Sequence, residues 1–400
     1  MTTAAQAPPP LVAPGLRSRG AWLGPLPVAN VVVAQAGLGV SLALLAAGIG
    51  LWWAALGVGL AALALGLGRW RGEWVLCWAQ LAGRYLLRSR TRSVPNPDPV
   101  SLLRLLLPGL TLAPGTTRDR EPVGLAWYRG AWTAVLEVDA APSMISEVGA
   151  APALPLAALV PCLQERGVVL EGIQVLWHCY PGSTALPPSS PALRSYLELL
   201  GPLPAAARRT TWVAVRLDPH RCPAAVAERG GGVVGCHRAL LGALSRVRSV
   251  LDARGVSSRP LDRDQLVRAG IRAAELSAVA GTGHRGALRE QWGSVTAGGV
   301  AHASYAITGW TVRGCAPTLN ALTGVRALST TVALFLSPGE GDHEVGLRGV
   351  VRLSARSPAE LQEAGVRMRA VAHHLGVSLS PLDGQQLAGL SATLPLGAPG

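Results

Sequence analysis

Residues Ala21–Gly68 read AWLGPLPVANVVVAQAGLGVSLALLAAGIGLWWAALGVGLAALALGLG, 48 residues without one Asp, Glu, Lys, Arg or His. Arg19 closes the stretch on one side and Arg69 on the other. A bilayer core takes roughly 20 apolar helical residues to cross, so the stretch is long enough to cross twice. It predicts a transmembrane hairpin, with spans near 28–47 and 51–67. Pro25 and Pro27 precede the first span, and Gly48-Ile49-Gly50 supplies the connection. Trp52-Trp53 falls where aromatic side chains sit at a membrane interface.

Charge extends the reading outward. The formal net charge is +13, and all 23 acidic residues lie after Arg69. Arg17 and Arg19 precede the apolar stretch; Arg69, Arg71, Arg84, Arg88, Arg90 and Arg92 follow it, opposed only by Glu73. Positive charge at both outer ends predicts that both termini are cytoplasmic and the protein a multi-pass protein of the cytoplasmic membrane. Residues 1–20, with Pro8-Pro9-Pro10, read as a flexible cytoplasmic tail. Nothing there resembles a cleaved signal peptide. Residues 69–100 read as a basic juxtamembrane helix, continuing the second span along the lipid headgroups, and a proline-stiffened linker.

The spans are rich in small residues. Gly39, Ala43 and Ala47 recur at four-residue spacing, as do Ala55 and Gly59. Such faces let helices approach closely, either the two spans on each other or one span on a partner's helix.

All 36 basic side chains are Arg. Without Lys there is no P-loop lysine and no Schiff-base nucleophile, which excludes those ATPase and pyridoxal mechanisms. The six cysteines form no CxxC pair and read as reduced thiols.

Residues 101–400 predict one cytosolic α/β domain, since strand patterns alternate with helical ones. Val123–Tyr128 and Ala131–Val138 flank Arg129-Gly130 as a hairpin. Further strands are expected at 168–177, 210–217, 300–307, 325–336 and 346–353. Helices are expected at 156–165, 236–254 and 358–375, the last with Ser357 as N-cap and Pro358 in its first turn, and a short one ending at Leu200. Gly255–Leu266 matches Gly376–Leu387 at eight of twelve positions, at an offset of 121. Each copy follows a long helix, which follows a strand bearing an Arg-Leu pair, Arg216-Leu217 or Arg352-Leu353. We expect two related strand–helix–strand units, a pseudo-duplication; chance is the alternative for so short a match.

Asp262-Arg263-Asp264 is a DxD, the carboxylate pair that holds a divalent cation on a sugar nucleotide. It would make the protein a membrane-anchored glycosyltransferase-like enzyme using Asp262 and Asp264. The plainer reading is a helix start, Asp262 as N-cap. The second copy keeps Pro381-Leu382-Asp383 but not the second acid, which favours the cap. Arg229-Gly230-Gly231-Gly232 precedes a helix, as phosphate cradles do, yet lies well past the strand end. His178-Cys179, His220 with Cys222, and Cys236-His237 offer zinc-type ligands at a spacing that fits no standard knuckle. His373-His374 suits a helix C-terminus. We therefore assign no catalytic residue, cofactor or metal. A nucleic-acid-binding role for the basic, aromatic stretch is the weakest option and nucleic acid is not an expected partner.

Three ordered blocks carry a resemblance. The first is Thr211–Pro219 (TWVAVRLDP), then Ala225–Gly232 (AVAERGGG), then an Arg-rich helix closing on Gly255-Val256 and Pro260-Leu261. Glu290-Gln291-Trp292 with His302–Tyr305 and Trp310 is the second; Leu382–Gln385 with Ala392–Pro395 is the third. With the N-terminal hairpin, the set resembles the EccE family of type VII (ESX) secretion. That resemblance implies a structural, non-enzymatic assembly subunit in an actinobacterial cell membrane, beside EccB-, EccC- and EccD-class subunits. Its partners would be those proteins and the lipid bilayer. The family offers no catalytic motif to carry over.

Overall fold

The computed structural model describes residues 22–23, 26–48, 50, 52–70, 73–95, 98–139, 154–180, 208–280, 286–310, 315–339 and 345–396. The chain forms two compact units that divide between Ser89 and Arg90.

In the first unit, helix α1 (Val28–Ala47) and helix α2 (Trp52–Leu67) pack along a seam of small residues. Asn30 Nδ2 donates to Gly66 O at 2.9 Å, and Ser41 Oγ donates to Ala55 O at 2.7 Å. The glycines set the approach: a Cβ on Gly37 would lie 2.0 Å from Ala62 Cβ, and one on Gly66 would lie 2.8 Å from Asn30 O. Polar atoms thus face the seam while Leu42, Leu60 and Trp53 are exposed. Apolar residues outside and hydrogen bonds inside are the arrangement expected in lipid, where water cannot satisfy polar groups. Of the described helices, only α1 is long and apolar enough to cross a membrane; α2 is a shorter apolar helix of 16 residues.

Helix α2 does not continue through the basic stretch. It stops at Leu67, and Arg69–Trp70 pairs antiparallel with Glu73–Trp74. The Arg69 guanidinium lies over the Trp74 ring, 4.2 Å from its centroid. A separate helix, α3 (Val75–Leu87), then starts, with Val75 N–H donating to Gly68 O at 3.0 Å.

The second unit begins with strand β1 (Thr91–Val94), inside the stretch expected to be linker. Helix α4 (Pro99–Leu106) follows, its first turn capped by Asp98. Next come β2 (Thr111–Thr116), β3 (Pro122–Tyr128), β4 (Ala131–Val138), β5 (Gly172–Tyr180) and β6 (Arg208–Leu217). Helix α5 (Gly232–Asp252), strand β7 (Ser258–Pro260) and helix α6 (Arg263–Ala273) complete that half. The rest is β8 (Gly286–Glu290), β9 (Val295–Ala297), β10 (Val300–Gly309), α7 (Cys315–Thr323), β11 (Ser329–Pro338), β12 (Val345–Ala355), α8 (Pro358–His374), β13 (Ser378–Pro381) and α9 (Gln386–Ala392).

Among the described residues all thirteen of these strands join one sheet, ordered β1-β8-β9-β10-β12-β11-β5-β6-β4-β3-β2. The remaining two lie on its path, β7 against β4 and β13 against β10. Every ladder is antiparallel. This corrects the α/β expectation. Strands joined by short turns pair as hairpins, and the strands joined through helices, β4 to β5 and β10 to β11, land two places apart with an antiparallel strand between them, so no parallel pair forms among the described residues. The β3–β4 turn shows the cause locally: Arg129 and Gly130 take φ of 50° and 80°, the left-handed pair of a two-residue hairpin.

Alternation along the strands gives the sheet two buried faces. Ile173, Val175 and Trp177 of β5 point to one, with Val213, Val215 and Leu217 of β6. Helix α5 covers it through Ala239, Leu240, Ala243, Leu244 and Val247, and α8 through Leu361, Ala364 and Met368. Leu176, Trp212 and Val135 point to the other face, which α4, α6 and residues 390–396 cover.

Other boundaries move too. Residues 156–165 are a four-residue helix and a 3₁₀ turn containing Pro161, after which Gln164–Glu165 pairs with Val168–Val169. The strand expected from 325 starts at Ser329. The helix expected to end at Leu200 lies outside the described residues.

Candidate functional site

The second face of the sheet carries charge in its interior. Arg216 on β6 and Arg352 on β12 are among the largest fully buried side chains. Each belongs to a strand whose other face is apolar: Val215 and Leu217 flank one, Val351 and Leu353 the other. A side-chain period of two therefore places both guanidinium groups beneath the second layer of helices.

Around Arg352 the groups form a chain. Arg352 Nη2 donates to Ala273 O at the end of α6 and to Thr331 Oγ1 at 2.9 Å. Thr331 Oγ1 lies 2.8 Å from His178 Nδ1. His178 Nε2 lies 3.6 Å from Glu275 Oε1. Glu275 also accepts from Ser329 Oγ at 2.5 Å and from the Tyr180 hydroxyl at 3.0 Å. Thr331 Oγ1 accepts from Arg352, so its own hydrogen goes to His178 Nδ1, which makes Nδ1 the acceptor and puts the hydrogen of the neutral ring on Nε2. Alongside, His302 Nδ1 lies 2.9 Å from Ser354 Oγ.

Burial dominates the electrostatics. It pushes His178 and His302 well below the ordinary imidazole range, helped by Arg352, and holds both rings neutral. It raises the Glu275 carboxyl, against the hydroxyls and Arg352 that favour its charge. It lowers Arg352 to about 10, which still leaves the guanidinium charged at neutral pH. Glu275 adopts φ of 58°, a left-handed backbone unusual for a non-glycine residue. Nε and Nη1 of Arg352, buried, find no hydrogen-bond acceptor among the described residues.

Carboxylate, imidazole and hydroxyl in that order have the connectivity of a nucleophilic triad. Thr331 and His178 are both wholly buried, however, so no substrate can reach the hydroxyl. The arrangement fixes α6 to the sheet. Arg216 ties strand ends together instead, donating to Glu171 Oε2 at 2.6 Å, just before β5, and to Tyr128 O at 2.9 Å, at the end of β3. Nothing in the spacing of His178, Glu275, Thr331 and Arg352 along the chain announces the cluster. The alternation around Arg216 and Arg352 was the one available signal, a charge in register with the non-core face of an apolar strand.

The residues nominated from sequence fall elsewhere. Asp262 Oδ1 accepts Gln265 N–H at 2.7 Å while Gln265 Oε1 accepts Asp262 N–H at 3.0 Å, a reciprocal capping box at the start of α6. Asp264 is exposed in the first turn of the same helix. Gly230, Gly231 and Gly232 all have positive φ, and they follow the short helix Pro223–Glu228, not a strand. His178, His220 and His237 sit apart: the first in the cluster above, the second exposed, the third edge-on to Trp132 at 4.4 Å. Among the described residues no three His, Cys, Asp or Glu side chains converge to hold a metal.

On the helix pair, Ala55 is fully buried in the seam and Gly59 faces Ser41. Gly39, Ala43 and Ala47 are exposed; the α1 side of the seam is Asn30, Ala34, Gly37 and Ser41. Arg84, Arg88 and Arg90 are exposed. Arg92 donates to Leu105 O at 2.9 Å and so ties β1 to the end of α4. Arg71 lies outside the described residues.

Residues 205–307, from β6 to within β10, match the EccE family model, described as a type VII ESX secretion system translocon. The ESX-5 secretion system protein EccE5 of Mycobacterium tuberculosis is 27% identical over 313 residues, covering 72% of this chain and 70% of the relative. EccE5 of Mycobacterium marinum matches to the same extent. The ESX-1 protein EccE1 of Mycolicibacterium smegmatis is 37% identical over 95 residues, 24% of this chain and 18% of the relative. The chain is thus similar to EccE proteins, over residues 205–307 to the family model and over most of its length to the EccE5 relatives. Among solved structures, the flavoenzyme CrmK of caerulomycin biosynthesis covers 75% of this chain and 65% of its own at 10% identity, with a TM-score of 0.28, too low to bear on fold or function. The EccE match spans β6, α5, the capped turn and α6, and it includes Glu275 and His302 of the buried network. The other members, His178, Thr331 and Arg352, fall outside it.

Proposed function

We propose that this EccE-family protein is a non-catalytic assembly subunit of a type VII secretion complex in the cytoplasmic membrane. The observation that carries the proposal is similarity to ESX-5 EccE5 over 313 residues, 72% of this chain. In this reading α1 and α2 both enter the bilayer as a hairpin, and the arginines on either side keep both termini cytoplasmic. The polar seam between two apolar-surfaced helices supports that reading, as does the exposed Gly39, Ala43 and Ala47 face, which suits a partner's helix. The partners would be EccB-, EccC- and EccD-class subunits. Commitment of Asp262 to a cap argues against the sugar-transfer alternative. Extraction in mild detergent tests the proposal: secretion subunits co-purify with the chain, and recovery of a bare monomer would abandon it.

We infer further that the sheet unit is pseudo-duplicated. In support, β3-β4-β6-β5 and β9-β10-β12-β11 have the same order from edge to centre, meeting at the antiparallel β5–β11 pair. In each half a long helix (α5 or α8) follows, then a glycine with positive φ (Gly255 or Gly376), a short strand (β7 or β13) and a second helix (α6 or α9). Overlaying residues 122–273 on 295–392 tests this: strands that fail to superpose in that correspondence would end it.

A further inference from the structure

Helix α3 has a feature that anchoring by α1 and α2 does not use. Its last turn presents Leu86, 68% exposed, and Leu87, 90% exposed. Arg84 and Arg88 are exposed beside them. Tyr85 is buried, with the Arg88 guanidinium 5.8 Å from its ring centroid, so this turn has one buried side and one exposed side. Arginine in a last turn suits the helix dipole, but that accounts for neither leucine. Between Glu73 and Asp98 the sequence carries arginines and no acidic residue. Its location is fixed at the other end, where Val75 N–H bonds to Gly68 O and α3 begins directly after residues 68–74, which follow apolar α2.

We propose that the C-terminal turn of α3 docks onto the bilayer surface and selects anionic lipid headgroups. Leu86 and Leu87 enter the boundary between headgroups and acyl chains. Arg84 and Arg88 bury their aliphatic stems there and hold their guanidinium groups at the phosphates, where a planar fork of donors binds bidentately. This rests on the reading that α1 and α2 lie in the membrane. It adds that the cytoplasmic end of the anchor senses lipid charge.

The test uses the full-length chain in nanodiscs of equal parts phosphatidylcholine and phosphatidylglycerol, and in native membranes. The photo-crosslinker p-benzoylphenylalanine replaces Leu87, or Leu45 on the exposed side of α1, or Val366 on the exposed side of α8. Mass spectrometry reads the adducts. Lipid adducts are expected at 45 and 87 and none at 366. At 87 phosphatidylglycerol adducts should be enriched roughly five-fold for each arginine at the surface. Arg84→Gln with Arg88→Gln should return that ratio to about one, by loss of the same attraction. Lipid at 45 with water or protein adducts at 87 would overturn the docking and leave the anchor standing. No lipid at either position would overturn both. An unchanged ratio in the double variant would overturn the selection of anionic lipid.

Discussion

Glu275 and Arg352 make opposite demands on a mutation. Each is a charge taken out of water, and each helps to offset the other through Thr331, Ser329 and His178. Truncating one partner strands the other, so Glu275→Ala should cost roughly 3–5 kcal/mol in urea unfolding. Arg352 already has two donors that find no acceptor among the described residues. Arg352→Met, which removes that charge and keeps most of the volume, should therefore cost less than Glu275→Ala. Equal losses would mean that the network does not couple the pair. The same groups set a pH dependence. His178 and His302 titrate near 6.5 when unfolded and well below it when folded. Their contribution is complete above that value and lost as pH falls below it, because the unfolded chain then binds protons that the fold refuses. Glu275, raised from 4.5, has the opposite sign: its contribution is complete below 4.5 and lost as pH rises through its folded value. Two imidazoles outweigh one carboxyl, so the sheet unit should lose stability on acidification from pH 7 to pH 5, followed by circular dichroism at fixed urea. His178→Asn with His302→Asn should flatten that profile.

At the scale of single elements the capping box and the glycine seam are the exposed points. Asp262→Ala removes the acceptor for Gln265 N–H and should cost about 1 kcal/mol in the same unfolding assay. Asp262→Asn should restore most of it, which a metal-binding carboxylate would not allow. In the helix pair, Gly37 touches Ala62 with no room for a side chain. Gly37→Leu should push α1 off α2 and weaken the Ser41–Ala55 contact. Cysteines introduced by Ser41→Cys and Ala55→Cys should crosslink readily in the parent and poorly beside Gly37→Leu. Gly39→Leu, on the exposed side of α1, should leave that crosslink intact.

For the molecule as a whole, the boundary of the sheet unit is the testable quantity. Composition puts it near residue 101, after the prolines. The sheet puts it at Arg90, because β1 pairs with β8 and Asp98 caps α4. A fragment starting at Arg90 should unfold in one cooperative transition. A fragment starting at Ser101 should lose roughly 1–3 kcal/mol from the missing edge strand and cap, read as a Tm lower by about 2–4 °C per kcal/mol.

Much of this was legible in the chain. Forty-eight residues without a charge specify apolar helices wherever they fold, because no tertiary partner is needed to satisfy their backbone. The Arg129-Gly130 turn, the Ser357 cap and the Asp262 cap were readable because their partners lie within a few residues. The same locality explains the misses. Alternating strands and helices suggested an α/β domain but do not say which strands pair, and the pairing is antiparallel throughout the described sheet. The seam of α1 depends on where α2 lies, so four-residue spacing nominated Gly39 and Ala43 while the contact uses Ala34, Gly37 and Ser41. Short strands such as β8 and β9 have too few residues to show a period. The charged network drew on His178, Glu275, Thr331 and Arg352, spread over 175 positions. Sequence alone determined the apolar anchor, the caps and the family blocks, because short-range hydrogen bonding and water's exclusion of apolar surface act without long-range context. Only the tertiary structure decided strand pairing, the helix seam and the partners of each buried charge, because those energies exist only once distant segments meet.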